Sequence, residues 1–379
     1  MNKQFRRILV TGADGFIGKN LTYNLGEKSE YEILKFGRND PAEALTEKLS
    51  IADIVIHLAG ENRPVDDAKF REVNVDLTST LCEAIFLKYS GTGRQTPIVF
   101  SSSSQATNNS PYGRSKLMAE QEIQKLNSKI DNPYAIYRLP GVFGKWCKPN
   151  YNSVVATFCH NVSRGIPIEI SDPNIEIRLV HVDDVVAHFL SSIENIKSHA
   201  GFFSVTPEYK ISLQALSEEI LSYRNLRENL IVNRVGNSLS RALYSTYVSY
   251  LPPDQFAYEI EKNSDPRGTF VEMLRTSDSG QMSYFTAQPG VTRGGHYHHT
   301  KTEKFLVVKG SALFRFRNIL TDELIEFETD GESPKIVDTP PGWSHDITNI
   351  GTNELVVMLW ANENFDRENP DTIMSKVVL

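Results

Sequence analysis

The chain has 379 residues, of which 40% are hydrophobic and 23% charged, so it can bury a sizeable core and is long enough for two domains. Its 47 acidic and 40 basic residues give a net charge of −7, which disfavours a general role on nucleic acid or anionic membranes. Three cysteines without paired spacing do not indicate a disulfide framework, and no apolar run approaches the roughly 20 residues of a membrane span. The first apolar run is also too short for a signal peptide, so we expect a cytoplasmic protein.

The first two-thirds of the chain alternates short β-branched runs with helical patterns. The runs 7–12, 53–60, 97–104 and 134–140 are separated by stretches whose apolar residues recur at three and four. This alternation predicts a Rossmann-type, doubly wound parallel sheet covered by helices on both faces. After about residue 240, short strands separated by Gly, Pro, Asn and Asp predict an antiparallel sandwich or barrel. We therefore expect one domain over residues 1–243 and a second over residues 244–379.

A glycine-rich turn follows the first predicted strand. The segment "ILVTGADGFIGKNL" places Gly12, Gly15 and Gly18 between that strand and a helix. Gly12 permits a tight turn, Gly15 lets the backbone approach a pyrophosphate, and Gly18 allows close packing of helix on strand. The free amides at the helix start then attract the pyrophosphate. This pattern predicts a dinucleotide site.

The end of the second predicted strand decides which dinucleotide is preferred. The segment "ILKFGRND" presents Arg38, which matches a 2′-phosphate, so NADPH is favoured over NADH. Two alternatives stay open: Arg38 is only a solvated side chain, or Asp40 meets a ribose hydroxyl instead.

A tyrosine and a lysine lie four positions apart in "NSPYGRSK" (109–116). On a helix, Tyr112 and Lys116 would lie one above the other. An ammonium beside the phenol lowers its pKa and lets it exchange a proton with a carbonyl oxygen near neutral pH. Behind a nucleotide loop and a serine-rich strand end, this pair predicts hydride-transfer chemistry.

These motifs, with "DIVIHLAG", "VFSSSS", "YRLPGVFG" and "VHVDDVV", resemble the extended short-chain dehydrogenases/reductases that act on nucleotide sugars. The resemblance covers roughly residues 6–243. It implies that Ser103 hydrogen-bonds the substrate oxygen, that Lys116 holds the cofactor ribose, and that Arg178 contacts the substrate diphosphate. It further implies cofactor contacts from Phe16, Ile17, Leu58, Ala59 and Gly60. The spacing departs from the family in two places: the excursion between Ser103 and Tyr112 is short, and there is little room for a third strand before residue 53.

A loop rich in lysine, asparagine and aromatic residues, "GKWCKPNYNSV" (144–154), follows a predicted strand directly. Loops at the carboxyl ends of parallel strands line the ligand crevice. Lys145, Lys148 and Asn152 are therefore candidate substrate contacts. His57 and His181, in contrast, are expected to be packed strand residues.

The stretch "HYHHTKTE" (296–303) concentrates imidazoles and a carboxylate. Period-two spacing places His296 and His298 on one face of a strand, and a turn returns Glu303 on the next. With "PPGWSHDITN" (340–349), which adds His345, the segments resemble the two cupin motifs, over about residues 260–365. Three imidazoles and a carboxylate suit Zn²⁺, with Fe²⁺, Mn²⁺ and Ni²⁺ as alternatives. His299 points to the opposite face and is not expected to be a ligand.

The order of the two parts is similar to one bifunctional family of capsule and O-antigen synthesis, and "DPRGTFVE" (265–272) resembles the opening of cupin-fold deoxysugar 3,5-epimerases. The resemblance implies C3 epimerisation by the cupin and C4 reduction by the reductase, on a UDP-linked 4-keto-6-deoxy amino sugar, in a homodimer. Two alternatives stay open: a reductase whose cupin only binds sugar or forms the dimer, and an NADP-sensing regulator without turnover.

Overall fold

The computed structural model describes residues 6–196, 200–366 and 368–378. The chain forms two compact units: Met1–Ile220 with Asn237–Leu251, and Leu221–Gly236 with Pro252–Leu379. The division near residue 243 that we propose from the sequence lies within the helix Ser238–Ser249. None of the described helices is long and apolar enough to cross a bilayer.

Nine strands belong to the first part of the chain: β1 (Arg6–Thr11), β2 (Tyr31–Phe36), β3 (Ile54–His57), β4 (Ile98–Ser103), β5 (Tyr134–Leu139), β6 (Gly141–Phe143), β7 (Glu176–His181), β8 (Ala200–Phe203) and β9 (Tyr209–Ser212). Six of them form a sheet in the order β2-β1-β3-β4-β5-β8, with every neighbouring pair parallel. β6, β7 and β9 form a small separate sheet. The predicted parallel sheet is confirmed.

The helices are α1 (Phe16–Gly26), α2 (Ala42–Ile51), α3 (Ala68–Phe70), α4 (Leu77–Thr92), α5 (Pro111–Ile130), α6 (Val154–Ser163), α7 (Val182–Asn195), α8 (Leu213–Asn229) and α9 (Ser238–Ser249). A π-helical turn, Arg71–Asp76, leads into α4. α2 connects β2 directly to β3, so the described segment 37–53 contains no strand, as expected from the little room that the sequence leaves there.

Alternation along the strands builds a core on each face of this sheet. Ile8 and Val10 of β1 pack with residues of α1 and α7 on one face. Leu9, between them, packs with residues of α2, α4 and α5 on the other. Because successive side chains of a strand point to opposite faces, one apolar run supplies both layers. The sheet is therefore doubly wound, and its carboxyl edge is free to present loops.

The second unit contains β10 (Asn263–Asp265), β11 (Gly268–Arg275), β12 (Gln281–Ala287), β13 (Thr292–Tyr297), β14 (Glu303–Lys309), β15 (Ser311–Asn318), β16 (Leu324–Asp330), β17 (Ile336–Thr339), β18 (Trp343–Asn349), β19 (Leu355–Ala361) and β20 (Ile373–Met374). They form two sheets, β10-β11-β12-β19-β14-β17 and β16-β15-β18-β13-β20. The inner faces share an apolar core that includes Phe285, Phe305, Phe314 and Ile347. This confirms the predicted antiparallel cupin fold.

Candidate functional site

The glycine turn of the first unit packs tightly against the loop that follows β3. Gly12 has a φ of 68°, and a Cβ there would lie 2.7 Å from the Ala59 nitrogen. A Cβ on Gly18 would lie 2.2 Å from the Gly12 carbonyl oxygen. The start of α1 can therefore pack this closely against the turn only because residue 18 has no side chain. Gly15 is the residue before α1, which begins at Phe16 and Ile17. Leu58, Ala59 and Gly60 follow β3 directly. The tight glycine turn before α1 suits the pyrophosphate-binding role predicted for it.

The two residues that would discriminate NADPH from NADH have different surroundings. Asp40 accepts hydrogen bonds from the Gly37 amide (3.1 Å) and from Lys48 Nζ (3.0 Å), so its carboxylate is engaged in its own turn. Arg38 has an 82% exposed side chain, and its guanidinium donates to Glu61 at 3.0 Å. The Glu61 side chain is only 15% exposed, but the Arg38 guanidinium stays in solvent, where a phosphate could reach it.

Ser103, Tyr112 and Lys116 lie around the end of β4 and the start of α5. Tyr112 is the second residue of α5, Lys116 is one turn further on, and Ser103 is the last residue of β4. The Lys116 ammonium donates to the Ser101 carbonyl at 2.9 Å and lies 4.9 Å from the centre of the Phe100 ring. Burial lowers the pKa of Lys116 to about 8, against the opposing charge of Glu120.

The sequence led us to expect that Lys116 lowers the pKa of Tyr112. Instead, burial raises the pKa of the Tyr112 phenol, and the hydrogen bond with Ser103 is the influence that lowers it. The physical reason is that the Lys116 ammonium is directed to a backbone carbonyl, whereas the phenol pairs with the serine hydroxyl. Ser103 is therefore the direct partner of the candidate acid.

A buried carboxylate that the sequence analysis missed supports these residues. Glu120, 1% exposed, accepts from the Ser102 hydroxyl at 2.5 Å and from both sides of the Arg138 guanidinium at 3.0 and 2.7 Å. It thereby ties α5 to β4 and β5, the strands whose ends surround the candidate site. Its spacing of four from Lys116 is the signal that could have revealed it.

The candidate substrate residues are placed as follows. Lys145 pairs with Asp183 at 2.6 Å, and Lys148 lies over the Tyr151 ring at 5.4 Å. Asn152 is exposed in the same loop. Arg178, on β7, forms a two-pronged ion pair with Glu208.

The loop that carries three of them also reaches the end of β3. The Tyr151 hydroxyl donates to Glu61 at 3.2 Å, the same carboxylate that pairs with Arg38. Tyr151 and Glu61 were missed from the sequence, where no motif marks them. His57 and His181 are buried strand residues as predicted, at 0% and 4% exposure.

Four candidate metal ligands of the second unit converge. One donor atom each of His296, His298, Glu303 and His345 lies within 4.8 Å of the others. The Glu303 carboxylate is 3.4 Å from Nε2 of His298 and 3.3 Å from Nε2 of His345. His299, as predicted, is not in this group: it is exposed, with its ring 5.5 Å from that of Tyr297.

The chemistry of the four side chains fits a divalent ion. Within the described part of the chain, Nε2 of His298 and Nε2 of His345 are buried without a hydrogen-bond partner. Burial lowers the pKa of His296 to about 4, so that imidazole is neutral. Burial alone would raise the pKa of Glu303, but contact with His298 and His345 holds that pKa well below its usual range. Neutral imidazoles with a carboxylate are the donor set of Zn²⁺.

A tether from the end of the chain orients the ligand loop. The Asp371 carbonyl accepts from His298 Nδ1, which leaves Nε2 facing the cluster. The Asp371 carboxylate accepts from the amides of His299, Thr300 and Lys301 at 2.8, 2.8 and 2.9 Å. The sequence contains no signal for this contact across about 70 residues. Lys301, also missed, lies within the ligand stretch and places its ammonium 3.1 Å from Glu303.

Comparisons with known proteins agree with both halves of this geometry. Residues 8–204 match the NAD dependent epimerase/dehydratase family, and residues 263–373 match the polysaccharide biosynthesis C-terminal domain. The UDP-2-acetamido-2,6-beta-L-arabino-hexul-4-ose reductase of Pseudomonas aeruginosa is 53% identical over 98% of this chain and 99% of its own. The chain belongs to this reductase family. It is therefore an enzyme that uses a nicotinamide cofactor.

Other proteins are similar to the whole chain or to one part of it. The capsular polysaccharide assembling protein CapF of Staphylococcus aureus superposes with a TM-score of 0.90 at 39% identity, over 98% of this chain and 100% of CapF. The spore coat polysaccharide biosynthesis protein SpsL of Bacillus subtilis is 27% identical over 30% of this chain and 82% of its own length.

Proposed function

We propose that the chain epimerises a UDP-linked 4-keto-2-acetamido-2,6-dideoxy-hexose at C3 and reduces it at C4 with NADPH. The product would be UDP-2-acetamido-2,6-dideoxy-L-talose, a precursor of UDP-N-acetyl-L-fucosamine. The observation that carries this proposal is that one chain combines a buried four-donor metal cluster with a Ser103–Tyr112–Lys116 group beside a nucleotide turn. The reductase from Pseudomonas aeruginosa, similar over nearly its entire length, supports the substrate class.

For the reduction, the bound nicotinamide supplies hydride to C4. The Tyr112 phenol donates a proton to the C4 oxygen, and the Ser103 hydroxyl, its hydrogen-bond partner, orients that oxygen. Because Tyr112 lies in the first turn of α5, the positive end of the helix stabilises the phenolate left after the transfer. Lys116 would hold the cofactor ribose through its ammonium.

For the epimerisation, the ketone at C4 acidifies the proton at C3. His296, His298, Glu303 and His345 would hold a divalent ion, for which we propose zinc, and such an ion acts as a Lewis acid on a carbonyl oxygen. Asp371 keeps the His298 ring in the orientation that this requires. Loss of the C3 proton leaves an enolate, and return of a proton to C3 from the opposite face inverts the centre.

We propose NADPH, not NADH, because the Arg38 guanidinium is exposed just after β2, whereas Asp40 is engaged in its own turn. Lys145, Lys148, Asn152 and Arg178 remain our candidates for contacts with the nucleotide sugar. Since nicotinamides and nucleotide sugars are made in the cytoplasm, we place the reaction there.

We also propose that the enzyme is a homodimer. A groove of about 260 Å³ lies between α4 and α5 and is lined by Cys82, Phe86, Leu87 and Leu126 among others. Phe86 and Leu87 are 39% and 69% exposed. Adjacent exposed apolar side chains of this size are typical of a protein–protein contact.

Deuterium exchange tests the cupin activity apart from the reduction. The UDP-4-keto sugar is incubated with the zinc-loaded protein in D₂O without NADPH, and deuterium at C3 is measured by mass spectrometry. We expect exchange with the wild type and with His299→Ala, the matched control, and none with His296→Ala. Equal exchange in the wild type and in His296→Ala would instead support the alternative function, a reductase whose cupin is not catalytic.

The reductase activity has its own test. Tyr112→Phe should abolish NADPH oxidation in the presence of the UDP-4-keto sugar, while C3 exchange continues. No NADPH oxidation by the wild type would instead favour an NADP-sensing regulator.

A further inference from the structure

A β-bulge in β13 turns Arg293 into the interior of the cupin barrel. Arg293 pairs with Ile347 of β18, and His296 pairs with His345, with a register shift of one residue at Gly294–Gly295. Without that extra residue, Arg293 and His296 would face opposite sides, because three positions separate them. His345 is a candidate metal ligand and Ile347 belongs to the barrel core, so both face inward. Their cross-strand partners Arg293 and His296 therefore share the inner face.

Two polar atoms on opposite walls of this interior have no partner. Among the described residues, neither Nε of Arg293 nor the hydroxyl of Ser283 has a hydrogen-bond partner, although both atoms are buried. The Arg293 guanidinium lies 5.3 Å from the centre of the Phe285 ring. Ser283 is two positions before Phe285 on β12 and 3% exposed, so it shares the inner face. Buried polar atoms are normally satisfied, so these two donors are available to a ligand inside the barrel.

Arg293 differs from a structural arginine on the same barrel. Arg315 forms a two-pronged pair with the buried Asp346 at 2.8 and 3.0 Å, which neutralises it. The carboxylate whose charge acts on Arg293 is Asp265, and that carboxylate already binds Arg267 at 2.6 and 3.1 Å. The three groups together carry one net positive charge; Asp265 and Arg267 are exposed, whereas Arg293 is directed to the inner face. A positive charge with a free donor, turned inward, is suited to an anion.

We propose that Arg293 and Ser283 form a phosphate subsite of the cupin, which binds the diphosphate of the sugar nucleotide while its C4 ketone lies at the metal cluster. This inference rests on the proposed function. Successive inward positions of a strand are about 7 Å apart. Arg293 and His296 lie opposite two such positions of β18, Ile347 and His345, so we expect a similar distance between their sites on the inner face. C1 of a pyranose, which carries the phosphate, lies across the ring from C4. A phosphate at Arg293 and a ketone at the cluster are therefore compatible with one bound sugar.

A paramagnetic probe tests the subsite independently of turnover. The protein is loaded with Co²⁺, UDP is added, and broadening of the ³¹P resonances is compared with a Zn²⁺-loaded sample. We expect strong Co²⁺-dependent broadening with the wild type and with Arg234→Gln, an exposed arginine of the same unit. Arg293→Gln should lose the broadening, Ser283→Ala should weaken it, and Arg293→Lys should retain part. Metal content is measured for each variant, so that loss of the ion or of the fold is recognised.

The kinetics of C3 exchange provide the second readout. Loss of a charge-assisted contact in Arg293→Gln should raise KM about tenfold to hundredfold, with a smaller change in kcat. Arg293→Gln with wild-type broadening and wild-type KM would overturn the subsite, and so would absence of broadening in the wild type. Arg293-dependent broadening without any C3 exchange would instead contradict the proposed function and leave the subsite standing.

Discussion

Asp371 offers the sharpest test of how the candidate metal loop is held. Its carboxylate accepts three backbone hydrogen bonds, from His299, Thr300 and Lys301, and a fourth from the Thr300 hydroxyl at 3.1 Å. At about 0.5–1 kcal/mol for each of the four contacts in this partly exposed position, Asp371→Ala should lower the free energy of unfolding by about 2–4 kcal/mol. Asp371→Asn keeps one accepting oxygen and should lose about half as much.

The same substitutions should weaken metal binding, because the loop carries His298 and leads into Glu303. Loss of a group that orients ligands typically costs 10- to 100-fold in metal affinity, so we expect about that increase in the zinc Kd for Asp371→Ala. Competition with a chromogenic chelator measures the Kd, and thermal unfolding measures stability. Asp366→Ala is the matched control, since its exposed carboxylate is hydrogen-bonded to Glu368 and Asn369 in its own segment. Wild-type zinc affinity in Asp371→Ala would refute the role of the tether.

Three further predictions concern the reductase. Because burial holds the pKa of Lys116 at about 8, the ammonium loses its charge above that pH. The kcat of NADPH-dependent reduction should therefore fall above a pH of about 8, and a pH profile that stays flat to about pH 10 would contradict this. Arg38→Ala should reduce kcat/KM for NADPH about tenfold or more and leave that for NADH nearly unchanged, measured by initial rates; equal losses with both would remove Arg38 from the 2′-phosphate site. Leu87→Asp should shift the protein to monomers in sedimentation, with Leu320→Asp, an exposed position of the other unit, as control.

The sequence predicted most of the architecture because its signals are local. Alternation of strands and helices required the parallel sheet, and period-two spacing placed His296 and His298 on one face, where the structure finds them with His345. Gly12 and Gly18 occupy positions where a side chain would collide with backbone. In each case the pattern and the contact that it predicts lie within a few residues or in one recognisable motif.

The residues that sequence reasoning missed depend on pairings between distant segments. Asp371 reaches the ligand loop because β20 pairs with β13, and no local pattern specifies that pairing. Glu120 is bound by an arginine from β5, and Tyr151 reaches Glu61 across 90 positions. The pKa of Tyr112 was mispredicted for a related reason: helical spacing places Lys116 near the phenol, but the direction of the ammonium is decided by the Ser101 carbonyl on a separate strand.

The two proposed chemistries explain why one chain would contain both sites. Inversion at C3 depends on the C4 ketone, because only the ketone acidifies the neighbouring proton. As long as that ketone persists, inversion is reversible, and the sugar remains a mixture of the two C3 epimers. Reduction at C4 converts the ketone to an alcohol and fixes the configuration at C3. Selectivity of the Tyr112 site for one epimer would therefore draw the whole mixture to a single product, so Tyr112→Phe should leave both epimers at equilibrium.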